Sequence, residues 1–274
     1  MQRKYDDDID SILTDAAKRA TEELDQILGD GIGARVKDAQ TRQAISALQS
    51  TLSYLWRSVG DLTKAGQRDA ASTAVDQSFS WDSVLLRKAI KDDEARAEFQ
   101  RNLEQAAERN VEAAVARVYK SHIPLSQQVY KTEALASGWV DRLVTRGIAR
   151  GQTVKELQRD VREFIRPEVK GGVSYAAKRL SRTEINNAYH AVTIVHNEEK
   201  PWVTGMAWRL SGSHPRPDIC NVYAKKAPYP KEQVPEKPHP NCLCTTYPET
   251  VTNQEFYRAL AAGEYAAWFD TVRF

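Results

Sequence analysis

The densest chemistry in the chain lies in its last quarter. His214-Pro-Arg-Pro-Asp218-Ile-Cys220 is followed by Pro238-His239-Pro-Asn-Cys242-Leu-Cys244. Cys220, His239, Cys242 and Cys244 offer three sulfurs and an imidazole, the ligand set of one structural, tetrahedral zinc. His214 and Asp218 are substitute ligands. The segment is rich in proline and poor in core-forming residues, so ordering it costs chain entropy that a metal staple would offset. A single residue separates Cys242 from Cys244, closer than the usual spacing of zinc ligands, but in a strand both would lie on one face. The other reading of the same residues is three buried cysteines acting as small apolar side chains, with His239 hydrogen-bonded locally.

Catalysis at this cluster would need an open ligand position and a nearby base, for which Asp218 or Glu184 is available. A cysteine nucleophile paired with His190, His196 or His239 is a further arrangement. Against both, the chain carries no HExxH, nucleophile elbow, P-loop or GxGxxG. The expectation is a protein that is not an enzyme, with a metal-dependent nuclease or other hydrolase as the alternative.

Two other groups of charge stand out. Arg182-Thr183-Glu184 is followed by Asn186 and Asn187. Ser181 and Glu184 fit a capping box, and a richer reading has Arg182 or Glu184 buried and paired with Asp218 or a backbone group, since a buried charge needs a partner. Arg142, Arg146, Arg150, Arg159 and Arg162 give the middle of the chain a basic excess, and the acids of residues 1–30 give its start an acidic one. Such runs are ordinarily solvated helix faces; the other reading is a weak surface for DNA or an acidic partner.

The elements that must position these residues read as helices first. Ile9, Ile12, Leu13, Ala16, Ala20, Leu24, Ile27 and Leu28 keep helical spacing up to the Gly29-Asp-Gly-Ile-Gly33 stop. A second helix runs through Ile45, Leu48, Leu52, Leu55 and Val59 and breaks near Gly60. A third runs from about Ser83 to Tyr119, closed by Pro124. After it, shorter helices are expected. One is opened by a capping box at Thr153 and Glu156, with Val154, Leu157, Val161 and Ile165 inward; another covers about 173–196. Past Pro201 eight prolines, from Pro215 to Pro248, reach a density that no helix tolerates, and strands are expected at Gly205–Leu210 and Leu243–Tyr247. A last helix spans Asn253 to Phe269. The fold class is therefore α+β: a mainly helical region over 1–124, a compact α+β domain over 125–250 holding the Cys/His loop, and a C-terminal helix over 251–274.

The 274 residues suffice for one or two domains. With 39 basic and 37 acidic residues the net charge is +2, so global charge makes no case for nucleic acid. No apolar run approaches the ~20 residues of a membrane span, so no membrane partner is expected. The acidic start differs from a signal peptide, and three cysteines, an odd number, argue against a disulfide framework; a reducing cytoplasm is the expected setting.

Taken in order, the Ala-Lys-Arg-Leu-Ser-Arg182-Thr183-Glu184 helix, the Trp208 strand, Ser-His-Pro-Arg-Pro-Asp218-Ile-Cys220 and His239-Pro-Asn-Cys242-Leu-Cys244 resemble the phage Mu protein F-like head morphogenesis family. The likeness covers roughly residues 125–248. It implies a minor capsid protein of a tailed phage or prophage, present in few copies inside the head of the virion and made in the host cytoplasm. The partners it implies are the portal protein, a major capsid or scaffolding protein, and packaged double-stranded DNA held without sequence specificity. Some family members carry a further toxin or nuclease domain; the short stretch after Cys244 leads us to expect the plain structural form.

Overall fold

The apolar spacing at the start of the chain produces helix α1 (Gln2–Leu28), which buries Ile9, Leu13, Ala16, Ala20 and Leu24 along one face. Gly29 ends it with φ +63°, the left-handed conformation that glycine adopts without steric cost, and its N–H reaches Asp25 O at 2.9 Å. The computed structural model describes residues 2–29, 38–94, 96–101, 103, 125–150, 152–165, 172–214 and 216–268. Its further elements are α2 (Asp38–Ala89), α3 (Leu125–Ala149), α4 (Val154–Ile165), α5 (Val173–Glu198), β1 (Val203–Arg209), α6 (Ile219–Lys226), β2 (Thr245–Thr250) and α7 (Asn253–Ala261). The class is α+β and mostly helical.

Several elements differ from expectation. The break expected near Gly60 is absent, and α2 runs through it for 52 residues. A Cβ at Gly60 would stand 3.4 Å from Val129 Cγ2, an ordinary contact distance, so glycine is not required there, and its helical cost of about 1 kcal/mol is too small to break so long a helix. Ser83 to Ala89 belong to α2, residues 90–92 leave the helix, and residues 96–101 are helical again. The remainder of the expected third helix and Pro124 lie outside the described residues. An unexpected eight-residue helix, α6, stands between Pro217 and Pro228. The last helix is shorter than expected, because Gly263, at φ +73°, follows its end.

The chain divides into two compact units, Met1–Gly66 with Ile123–Glu184, and Gln67–His122 with Ile185–Phe274. Two of the divisions fall inside α2 and α5, the third, between 122 and 123, lies beside the boundary at 124 read from composition, and none falls near 250. Each unit is thus built from two separate stretches of chain.

In the first unit α1 packs on α4, whose Leu157, Val161 and Ile165 are buried. The capping box expected for α4 is present: Thr153 N–H donates to Glu156 Oε2 at 2.8 Å, and Glu156 N–H donates to Thr153 Oγ1 at 3.3 Å. Several acids of α1 are taken up by basic and polar groups of the same unit. Asp10 holds Lys178 Nζ (2.7 Å), Glu23 Oε2 accepts from Thr51 (2.8 Å), and Asp25 accepts from Gln158. These acids are therefore intramolecular partners, while Asp7, Asp15 and Glu22 stay exposed.

In the second unit β1 and β2 form one antiparallel pair with Trp208 opposite Thr246. Met206 and Tyr229 exchange two backbone hydrogen bonds of 2.8 Å beside it, and a Cβ at Gly205 would stand 3.0 Å from Tyr229 O, which is why this strand position is glycine. Trp202 is fully buried, with Phe256, Tyr265 and Trp268 at ring-centroid distances of 5.7, 5.6 and 4.7 Å. Beside it a polar knot is sealed in the core. Lys200 Nζ donates to Asp82 Oδ2 and to Ser78 Oγ, Asp82 Oδ1 accepts from Trp202 Nε1 at 2.8 Å, and Ser78 donates to Asn197 Oδ1 at 2.7 Å.

Candidate metal centre

Asp218 sets the site from its amino-terminal side. Its carboxylate accepts the Cys220 N–H at 2.7 Å, and its own N–H donates to Asn221 Oδ1 at 2.9 Å. This capping box starts α6 at the point that sends the Cys220 side chain inward. The other sulfurs come from the segment just before β2. Asn241 takes a left-handed φ of 59°, a conformation asparagine tolerates, and the turn it makes separates His239 from Cys242. Cys242 and Cys244 precede β2, which begins at Thr245, so the strand geometry expected to align them is not what brings them together.

The three cysteines are free thiols and buried, and their sulfurs all lie within 4.8 Å of one another. Cys220 Sγ stands 3.6 Å from Cys242 Sγ and 3.4 Å from His239 Nε2. Pro240 O, which can only accept, lies 3.0 Å from His239 Nδ1, so that nitrogen carries the hydrogen and Nε2 presents its lone pair to the cluster when the ring is neutral. A second potential ligand group is formed by Asp218, Cys220 and His239, with Asp218 Oδ2 at 3.2 Å from His239 Nε2. His214 stands on the other flank, with Nδ1 4.0 Å from Cys244 Sγ and Nε2 2.9 Å from Asn221 Oδ1. The arrangement is able to hold a metal ion.

The local electrostatics are those of a dry pocket. Burial pushes the Cys220 and Cys242 thiols above their ordinary range, and the adjacent cysteines raise Cys220 further. Asp218 moves the other way. Partial burial opposes ionisation, but the Cys220 N–H bond with His214 and His239 outweighs it and lowers its pKa. Lys237, which no sequence motif marked, enters the same pocket. It donates to Cys244 O, lies 5.8 Å from the Trp208 ring centroid, and is lowered by burial, while the three cysteines pull it back up. Trp208 roofs the cluster, edge-on to Tyr223 (5.1 Å) and His190 (5.5 Å).

The other sequence-flagged residues have different surroundings. Arg182 does not find the expected partner in Asp218: its Nε and Nη2 both donate to Asp6, each at 2.8 Å, because the acidic first turns of α1 lie against α5. That bond also raises the Arg182 pKa. Glu184 is buried, and Ser181 is not a helix cap, since α5 begins eight residues before it. His190, offered as a base for a cysteine, has both nitrogens engaged, by Pro235 O (2.9 Å) and Thr246 Oγ1 (3.3 Å). Among the five arginines, Arg142, Arg146 and Arg150 line one groove between α3 and α4, of about 470 Å³. Arg159 pairs with Asp160 at 3.5 Å, and Arg162 lines a separate cleft with Lys18 and Glu22.

Comparison with protein-family models, curated proteins and solved structures finds no match for the chain. Among the described residues no helix is long and apolar enough to cross a membrane.

Proposed function

We propose that this chain is a minor head protein of a tailed bacteriophage or prophage, an assembly component held inside the capsid near the portal and the packaged DNA. Its second unit would be stapled by one structural zinc ion. The observation that carries this reading is a convergence. Three segments of the motif series that resembles the Mu F-like family, the Trp208 strand, His214 to Cys220 and His239 to Cys244, are separate in sequence yet meet around one buried cluster. A shared structural centre gives such a series a physical reason to occur together.

The donor set fits zinc. Bond lengths of about 2.3 Å to sulfur and 2.0–2.1 Å to nitrogen put neighbouring tetrahedral ligands roughly 3.5–3.8 Å apart. The Cys220–Cys242 and Cys220–His239 separations are 3.6 and 3.4 Å. Cys220, which belongs to both potential ligand groups, would hold the ion with Cys242 and Cys244, and His239 would be drawn in from the second group as the fourth ligand. Pro240 O would fix the histidine tautomer as a backbone carbonyl does behind metal-bound imidazoles. Zinc would supply cross-linking of a segment that has little apolar core of its own. Lys237 would offset the negative charge of three thiolates around a divalent ion.

The test is quantitative mass spectrometry of density-purified phage particles and procapsids from the source organism. A few to tens of copies per particle is the expected result and makes the portal the first partner to test. Absence from both, in cells that express the chain, overturns the capsid reading and brings forward the hydrolase alternative at the same cluster.

A further inference from the structure

The groove between α3 and α4 combines a row of arginines with a stacked aromatic pair. Arg142 and Arg146 stand on α3 and Arg150 directly follows its end, at four-residue intervals that space their backbones about 6 Å apart along one side, and all three line the groove. All three are exposed, and none makes an ion pair among the described residues. The acids of α1 neutralise other basic residues of this unit, Lys178 and Arg182, and leave these three unanswered. The same groove holds Trp139, stacked in parallel on Phe164 with centroids 4.2 Å apart and planes 5° from parallel. Trp139 remains 47% exposed, so one face of the stacked pair is open to a further planar group.

On the α4 side the groove ends in Asp160 and Glu163. Asp160 is held by Gln152 Nε2 at 3.0 Å, whereas Glu163 is exposed. Three guanidiniums against two carboxylates leave the groove positive at one wall and acceptor-rich at the other. This polarity matches a ligand with an anionic end and a flat, hydrogen-bond-donating end.

We propose that this groove binds a nucleoside phosphate, met either as a free nucleotide or as an unpaired residue of a nucleic-acid strand. Phosphates lie along Arg142, Arg146 and Arg150, the base stacks on Trp139, and Glu163 accepts from a base N–H, which thymine offers at N3. A paired base within a duplex does not expose the ring face that Trp139 requires, so a single strand is preferred over a duplex. The inference deepens the DNA contact of the capsid reading and rests on it only there. A chain that binds nucleotide yet is absent from particles sinks the capsid reading alone; a chain present in particles that does not bind sinks this proposal alone.

The experiment is fluorescence anisotropy with the full chain and labelled oligo-dT, in a salt series, alongside Trp emission and competition by dTMP, inorganic phosphate and duplex DNA. Oligo-dT should bind and quench Trp emission. The triple variant R142Q/R146Q/R150Q, which changes only exposed side chains, should reduce the slope of log affinity on log salt by about 2, at ~0.7 per phosphate. Trp139→Phe should abolish the quench, and Trp139→Leu should weaken binding roughly tenfold, the order expected for one stacked base. Displacement by dTMP assigns a free nucleotide; binding of oligo-dT alone assigns the strand. The proposal is overturned by no binding of either, by equal displacement with inorganic phosphate, by tighter binding of duplex with Trp emission unchanged, or by a triple variant whose salt slope equals that of the parent.

Discussion

His190 and His196 are carried on α5 with their rings buried, and burial is the main reason each pKa falls from the ordinary 6.5 to about 3. The charge of Lys237 acts on His190, and that of Lys200 on His196, in the same direction. In the unfolded chain both titrate near their ordinary value. Between the two values the unfolded chain binds more protons than the folded one, so stability is complete above about pH 6.5 and is lost as pH falls toward 3. Each histidine should contribute a slope of roughly 1.4 kcal/mol per pH unit in that window. Urea unfolding between about pH 4 and 6 measures it. His196→Gln should flatten the slope by one proton's share, and an unchanged slope would contradict the buried neutral state. From sequence, these rings looked like candidate bases, because burial cannot be read from residue type.

At the scale of elements, what could be read depended on how local the determining physics is. The Thr153–Glu156 box and the Gly29 stop are settled within four residues, and both are present as expected. The Ser181–Glu184 pattern satisfies the same local rule but falls in mid-helix, because Val173 had already begun α5. Helix α6 was hidden by the prolines around it: proline excludes helix only where it stands, and 219–226 contains none. The Arg182–Asp6 pair joins residues 176 apart, which no local pattern reports. Gly147 is a further position whose reason is non-local. A Cβ there would meet Leu157 Cδ1 at 3.0 Å and the flexible Gln152 Oε1 more closely, where the end of α3 abuts α4. Gly147→Val should destabilise the protein by about 1–3 kcal/mol, the usual cost of overpacking. Thermal unfolding against the parent is the check; an unchanged midpoint would mean that α4 shifts away at no cost.

For the whole molecule, the near-balance of charge conceals an internal division of labour. Part of the acidic start of the chain is neutralised by Lys178 and Arg182 within the first unit, and Arg142, Arg146 and Arg150 are left out of that pairing, which is why a net charge of +2 says little about the α3–α4 groove. The Cys/His ligands were legible by type, but the folded segment that gathers them was not, since their mutual distances depend on α6 and the Asn241 turn. If a metal staples that segment, chelation should raise amide hydrogen exchange across β1, α6 and β2 while α1 and α4 keep their protection. Exchange that is unaltered by chelator in protein purified with its native metal would remove the structural role.

The sealed knot around Lys200 bears on how such a chain changes over generations. Asp82 and Lys200 are each nearly inaccessible to water, and burial pushes the lysine's pKa down while the aspartate pulls it back up. Losing either member leaves the other charge stranded, at a cost of about 3–5 kcal/mol, whereas exchanging both for apolar groups of similar volume can be neutral. A stability margin of roughly 5–15 kcal/mol leaves little room for that intermediate. Single-step drift is therefore closed at both positions: the two sites form one hereditary unit, free to vary only in concert, although 118 residues of chain separate them.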